Sequence, residues 1–278
     1  MGFLNGKVAV ISGAARGQGR SHALRLASEG ADIIALDICN DIETMDYPNA
    51  SRAELDAVVA DVEKLDRRAL AYEVDVRDVT AVKRAVDAGV AELGRLDIVL
   101  PQAGIVRYAP EGSIEEAAAI WADIVGVNVT GYFHLLEAAL PHVVAGGRGG
   151  AVVMTGSTAA TRPTAKAGAA TAAYIAAKHG VVGLMKTYAL AYASHNIRFN
   201  VVHPTGVRSG MTINEAMAKL AADAEAGGQN WISESKNLLD IDLVEPSDIS
   251  DAVAYLVSDQ ARWVTGTEIK VDAGFTLL

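Results

Sequence analysis

The sequence predicts an α/β fold: a doubly wound parallel sheet of about seven strands with helices on both faces. Three observations carry that expectation. Short β-branched runs alternate along the chain with longer, alanine-rich amphipathic runs. The short runs are apolar at nearly every position, as strands covered on both faces must be. A glycine-rich stretch, "SGAARGQG" (12–19), joins the first strand directly to the first helix. A chain of 278 residues can bury a large core, and no linker or repeat divides it, so one domain is expected over 1–278.

Taken in order, "KVAVIS" (7–12), "ADIIALD" (31–37), "ALAYEVD" (69–75), "LDIVLP" (96–101), "GAVVMTG" (150–156), "IRFNVVH" (197–203) and "TEIKVD" (267–272) read as strands. Helices are expected near 18–28, 53–65, 78–93, 114–144, 172–194, 212–226 and 247–258. Pro246, with Ser247 and Asp248, supplies the start signal of the last one. Two segments interrupt the alternation, 38–52 and 208–245, and long excursions of this kind tend to be functional or disordered.

Composition removes several function classes. A net charge of −10 with no Lys/Arg run argues against nucleic acid and against anionic membranes. Cys39 is the only cysteine, which excludes an intramolecular disulfide and suits a reducing compartment. The apolar run near the N-terminus is too short for a signal peptide, Gly6 stands where a myristoylation motif wants Ser or Thr, and no uncharged stretch is long enough to span a bilayer. The expectation is a soluble cytoplasmic protein.

The glycine stretch leaves a strand and opens a helix, the setting that separates a phosphate cradle from a plain turn. Gly13 would permit the turn, Gly17 close approach of the backbone to pyrophosphate, and Gly19 tight helix–strand packing. The first-turn N–H groups and the helix dipole would then face the anion. Asp37 ends the next strand, where its carboxylate can accept from adenosine ribose hydroxyls.

With these residues in view the chain resembles the short-chain dehydrogenase/reductase family over nearly its whole length, which implies a Rossmann-type fold. The family's G-x-x-x-G-x-G spacing covers Gly13, Arg16, Gln18 and the other two glycines. The resemblance places Asp75 and Val76, in "VDV", at the adenine. Gln102, Ala103 and Gly104 stand where the family usually has Asn-Ala-Gly, so Gln102 keeps the amide and adds a methylene. "HPTGV" (203–207) matches the loop flanking nicotinamide, with Pro204, Gly206 and Val207 shaping it and Ser209 where a threonine is frequent. "SGAARGQGRSHA", "YIAAKHGVVGLMK" and "HPTGV" resemble more narrowly the mycofactocin-associated, carveol-dehydrogenase-like branch.

"YIAAK" (174–178) carries the chemistry. Tyr174 and Lys178 lie four apart and share one helix face. A phenol titrates near ~10, so a base at neutral pH needs its charged form favoured by about 4 kcal/mol, which a nearby ammonium and the positive nicotinamide ring could supply. Tyr174 would then exchange the alcohol proton, with Lys178 also holding the cofactor. Ser157, after the fifth strand, would polarise the substrate oxygen, with Thr155 and Thr158 as rivals for that role. By resemblance Asn128 carries a water-mediated proton relay to the lysine; it is equally readable as a packed amide. His203 reads as support for its loop, and the remaining histidines give no metal-ligand spacing.

Arg16 favours NADP in this family and Asp37 favours NAD; the charge of Asp37 decides for NAD. The resulting expectation is an NAD-dependent alcohol dehydrogenase or ketoreductase acting on an apolar secondary alcohol or its ketone, terpene- or steroid-like. Segment 208–245 would roof its substrate, with Met211, Met217, Trp231, Leu238 and Leu239 as apolar candidates. Segment 38–52 would lie over the nucleotide. The narrower resemblance implies tightly held NAD that an external acceptor reoxidises, and the family a homotetramer on helices 114–144 and 172–194. The alternatives are a ketoreductase for carrier-bound or steroid substrates and a dinucleotide-binding sensor without turnover.

Overall fold

The computed structural model describes residues 2–162, 168–226 and 236–278. Seven parallel strands form one sheet: β1 (Val8–Ser12), β2 (Asp32–Asp37), β3 (Ala69–Glu73), β4 (Ile98–Leu100), β5 (Gly150–Thr155), β6 (Ile197–Pro204) and β7 (Glu268–Val271). Their spatial order is β3-β2-β1-β4-β5-β6-β7, so the winding reverses between β1 and β4. Val10 pairs with Ile34 on one side and Val99 on the other, which puts the ends of β1 and β4 side by side. A crevice opens beyond the carboxyl ends of strands at such a reversal.

Helices α1 (Gly17–Ser28), α2 (Arg52–Glu63) and α8 (Pro246–Val257) cover one face. The other face carries α3 (Val79–Leu93), α4 (Ile114–Val125), α5 (Gly131–Gly146) and α6 (Ala169–Ala191). Helix α7 (Glu215–Ala226) lies in the excursion after β6 and buries no residue. Alternate residues of β1 enter opposite cores, Val8 and Val10 on one side, Ala9 and Ile11 on the other. Both faces being covered explains the unbroken apolar runs.

Local signals fix the helix ends. Ser51 and Glu54 form a capping box at α2: Ser51 Oγ accepts from Glu54 N at 3.3 Å and Glu54 Oε2 from Ser51 N at 2.7 Å. Pro246 opens α8 behind Glu245, whose N–H donates to Asp248 at 2.8 Å. The helix expected over 114–144 is three pieces: α4 and α5 flank a π turn at Gly126–Thr130. That turn lies where Gly131 meets Val76 so closely that a Cβ there would come within 2.5 Å of the valine side chain. By length and composition Ile114–Gly146 is apolar enough to cross a membrane; 44% of its most apolar window is buried in this fold.

One buried polar contact ties α1 to α8. His22, 1% exposed, has Nδ1 2.8 Å from Ser250 Oγ, and Nε2 3.2 Å from Gln102 Oε1. Gln102 Oε1 can only accept, so Nε2 carries the proton and Nδ1 accepts from the serine. Burial pushes the His22 pKa down to about 4 from an ordinary 6.5. Between those values the unfolded chain binds a proton that the fold does not, so stability falls as pH drops from 6.5 to 4, by at most about 3 kcal/mol. Denaturant unfolding at several pH values should show this slope in the wild type and a flatter one in His22→Gln. Equal slopes would show that His22 does not titrate differently on folding.

Candidate active site

The crevice at the β1/β4 reversal is a cavity of about 470 Å³. Its floor is built by two turns in close contact. Gly13 (φ +66°) leaves β1 and lies against the turn after β4; a Cβ on it would stand 2.8 Å from Ala103 Cα. Ser12 Oγ accepts from Gln102 N (3.0 Å) and Ala103 N (3.2 Å), fixing the two turns to each other. Gly17, also at positive φ (+54°), starts α1. Arg16 at the N-cap gives no side-chain cap and the first turn holds no acid, so its N–H groups are left for an anion.

Asp37 sits at the carboxyl end of β2, 7% exposed. Its Oδ2 accepts from Ala15 N at 2.9 Å, and Cys39 N lies 3.3 Å from Oδ1. Burial raises the Asp37 pKa, opposed by those backbone N–H groups and by the charge of Arg16. Cys39 beside it has its thiol pushed up to about 11, by burial first and then by the Asp37 charge, so it stays neutral. Asp75 is gripped by Arg77, whose Nη2 donates at 2.6 Å; the same guanidinium donates to Asp123 at 2.5 Å, and Asp123 accepts from Thr44 at 2.6 Å.

Tyr174, Ser157 and Lys178 meet at the other end of the cleft. Ser157 begins a short 3₁₀ turn, its Oγ accepting from Ala159 N at 3.1 Å, and it lines the cavity together with Tyr174. Its backbone is held from below: His203 Nδ1 lies 3.1 Å from Ser157 N and 2.8 Å from Ser157 O, and His203 Nε2 lies 3.1 Å from Glu268. Lys178 is 3% exposed and donates to Thr155 O at 2.8 Å, the carbonyl that also accepts from Tyr132 Oη at 3.1 Å.

The electrostatics differ from the expectation drawn from sequence. Burial pushes the Tyr174 phenol up, and the neighbouring Ser157 hydroxyl pulls it back in part. Lys178 is itself pushed down to about 7 by burial and aims Nζ at Thr155 O, 5.6 Å from the centre of the Tyr174 ring. Among the chain's own groups desolvation therefore outweighs the ammonium, because the lysine has spent its nearest hydrogen bond on a carbonyl.

Every residue named from sequence for the cofactor lines this cavity: Gly13, Arg16, Gly17, Gln18, Gly19, Asp37, Asp75, Val76, Gln102, Ala103, Gly104, Tyr174, Lys178, Pro204, Gly206, Val207 and Ser209. Ser157 lines it too, as do both rivals, Thr155 and Thr158. Asn128 is absent from the lining and 0% exposed. Its Oδ1 accepts from Ile105 N and its Nδ2 donates to Ile105 O, each at 2.8 Å, so both ends of the amide have a backbone partner.

The expected apolar roof divides. Met211 and Met217 line the cleft, whereas Leu238 and Leu239 are 54% and 64% exposed and do not. Between them and the 203–207 loop stands Asn237, 1% exposed, which accepts from Thr205 Oγ1 at 3.1 Å and donates to Ile241 O at 2.7 Å, tying this stretch to the loop. Trp231 lies outside the described residues. In segment 38–52, Ile38, Ile42, Tyr47, Asn49 and Ala50 line the cavity; Met45 packs on the core instead. Val106 and Tyr108 also line it and carry no sequence signal, being in a loop without periodicity. Among the described residues no three His, Cys, Asp or Glu side chains converge as a metal site.

The residues fit a dinucleotide. Gln18 Oε1 is buried in this lining without a partner, an acceptor that a ligand donor would satisfy. The uncapped start of α1 suits pyrophosphate, and Asp37 suits ribose hydroxyls.

Residues 13–276 match the sequence model of the family described as enoyl-(acyl carrier protein) reductase. A putative short-chain type dehydrogenase/reductase of Mycolicibacterium smegmatis is 47% identical, covering 99% of both chains. The (-)-trans-carveol dehydrogenase of Rhodococcus erythropolis is 44% identical over the whole of both. Among solved structures, carveol dehydrogenase from Mycobacterium avium in complex with NAD superposes with a TM-score of 0.91 at 45% identity, covering 100% of both chains. With this sheet order, this glycine turn and these relatives, the chain belongs to the short-chain dehydrogenase/reductase family.

Proposed function

We propose that the protein interconverts an apolar secondary alcohol and its ketone, with NAD as its cofactor. As a family member with NAD-bound neighbours it is an NAD-dependent oxidoreductase acting on alcohols or carbonyls. A carveol-like or other terpene or steroid alcohol is the substrate class we favour. The relatives' names support it, as do Met211, Met217, Val106 and Ile105 in the cleft lining. The observation that carries the reading is the convergence of Ser157, Tyr174 and buried Lys178 on this one cavity, Lys178 Nζ standing 5.6 Å from the centre of the Tyr174 ring.

Bound NAD supplies the two-electron acceptor. The N–H groups at the start of α1 would hold its pyrophosphate, Asp37 the adenosine ribose and Asp75 with Val76 the adenine. Ser157 Oγ donates to the substrate oxygen and fixes it beside Tyr174 Oη. In oxidation Tyr174 takes the hydroxyl proton of the alcohol; in reduction it returns that proton to the ketone oxygen. The cation at Lys178 favours the phenolate that this exchange requires. Asn128 lies outside the cavity lining and fixes the Ile105 backbone through its amide. A homotetramer on α4–α5 and α6 is our reading of the assembly, supported by Trp121, Phe133 and Leu190, which those helices expose at 43%, 42% and 83%. A cytoplasmic location fits the single cysteine and the acidic balance.

Tyr174→Phe should keep the fold and bind NAD while losing turnover by about three orders of magnitude or more, because the ring packs equally but carries no proton. Steady-state kinetics on a folded variant decide this; turnover near wild type would remove Tyr174 as acid/base. Asp37→Ser should weaken NAD and relieve repulsion of the 2′-phosphate, moving the NAD/NADP preference toward NADP. A wild type that already prefers NADP would show Arg16 outweighing Asp37.

Segment 38–52 folds into the cleft wall with Tyr47 buried, which supports a covered, slowly exchanging nucleotide reoxidised in place by an external acceptor. Protein desalted extensively and then acid-denatured should release close to one NAD per chain. Substoichiometric NAD, with rapid turnover driven by added free NAD, would mark an ordinary exchanging site.

A further inference from the structure

The cleft has two walls, and each is braced within itself. On the first, Asp46 Oδ2 accepts from Tyr108 N (3.0 Å) and Ala109 N (2.6 Å), Tyr47 Oη accepts from Val106 N (3.2 Å), and Arg107 donates to Thr44 O (2.8 Å). Segment 38–52 and the loop after β4 are thereby one body. The second wall, Pro204–Met217, is folded on itself: Thr212 Oγ1 donates to Val207 O, Asn214 Nδ2 to Gly210 O and Met211 O at 2.9 Å each, and Met217 N to Asn214 Oδ1 at 2.8 Å.

Among the described residues a single hydrogen bond joins these two walls. Tyr108 Oη donates to Met211 O at 2.5 Å. The Tyr108 ring stands 6.1 Å from that of Tyr47, tilted by 41°, and lines the same cavity as Tyr174 and Ser157. Burial pushes its phenol far up, so the hydroxyl keeps its proton and remains a donor throughout the neutral range. Asp46 fixes the backbone of this residue, which leaves the hydroxyl bond as the element that can break when the walls part.

We propose that Tyr108 is a positioning residue that acts through Met211 as a clasp across the cleft. It holds the loop containing Val207, Ser209 and Met211 against the opposite wall, and it must open each time a dinucleotide enters or leaves. This rests on the reading that the cleft takes NAD, and it stands whether the nucleotide is retained for many turnovers or exchanged in each. Tyr108→Phe removes the donor alone: the ring still fills its place, and Met211 O keeps its bond from Asn214.

Stopped-flow displacement of bound NADH, followed by its fluorescence, measures the opening. In Tyr108→Phe the dissociation rate should rise about fivefold to tenfold, the loss expected for one neutral hydrogen bond, with the melting temperature of the ligand-free protein close to wild type. A dissociation rate within about twofold of wild type would overturn the clasp. So would faster release accompanied by a clear drop in melting temperature, which marks general loosening. A wild type that binds no NADH would remove the NAD reading, and the clasp with it.

Discussion

The cleft depends on the contact between the Gly13 turn and the Ala103 turn. Strands β1 and β4 are neighbours, yet the chain leaves them toward opposite halves of the sheet. The two turns meet this closely because Gly13 carries no side chain: a Cβ there would sit 2.8 Å from Ala103 Cα. Ser12 then bridges the turns with one hydroxyl accepting two backbone N–H groups. From that point α1 starts with free donors facing the crevice, and Asp37, on the neighbouring strand β2, reaches back to hold Ala15. Gln102 continues the same turn outward to Thr155 and His22, linking floor, catalytic end and helix α1 through one amide.

Within that geometry, desolvation sets the chemical character of the site. Asp37, Tyr174 and Lys178 are all shifted toward their neutral forms by burial. Each has partners that favour the charged form only in part: backbone N–H groups and Arg16 for Asp37, Ser157 for Tyr174, a carbonyl for Lys178. A site poised this way is sensitive to any further charge, since a cation entering a dry cleft acts through a low effective dielectric. This makes the phenol and the ammonium a coupled pair whose balance a bound positive ring can move.

Much of this was legible in the sequence because it follows from local pattern. Buried parallel strands read as apolar runs, the glycine turn keeps its spacing, and Tyr174 and Lys178 share a helix face by counting. The residues that escaped lack such a pattern. Tyr108 matters because its hydroxyl reaches Met211, a contact across 103 positions that no spacing announces. Leu238 reads as a roof because it is apolar, yet it is exposed, beside an Asn237 amide that bonds Thr205 and Ile241. The long helix was read as continuous, while the π turn at Gly126–Thr130 answers a tertiary contact with Val76. Among the chain's own groups the phenol is pushed up, because burial, which counting cannot measure, acts on it while the lysine points at a carbonyl.

The most direct test of the account follows the hydrogen on the carbinol carbon. Purified protein is mixed with NAD and secondary alcohols deuterated at that carbon, terpene and steroid alcohols among them, and the nucleotide is recovered for mass spectrometry. The account predicts reduced nicotinamide carrying the deuterium, with ketone formed in equal amount. Ketone formation that leaves the nucleotide unlabelled, or no reaction with any such alcohol while NAD is demonstrably bound, would contradict it.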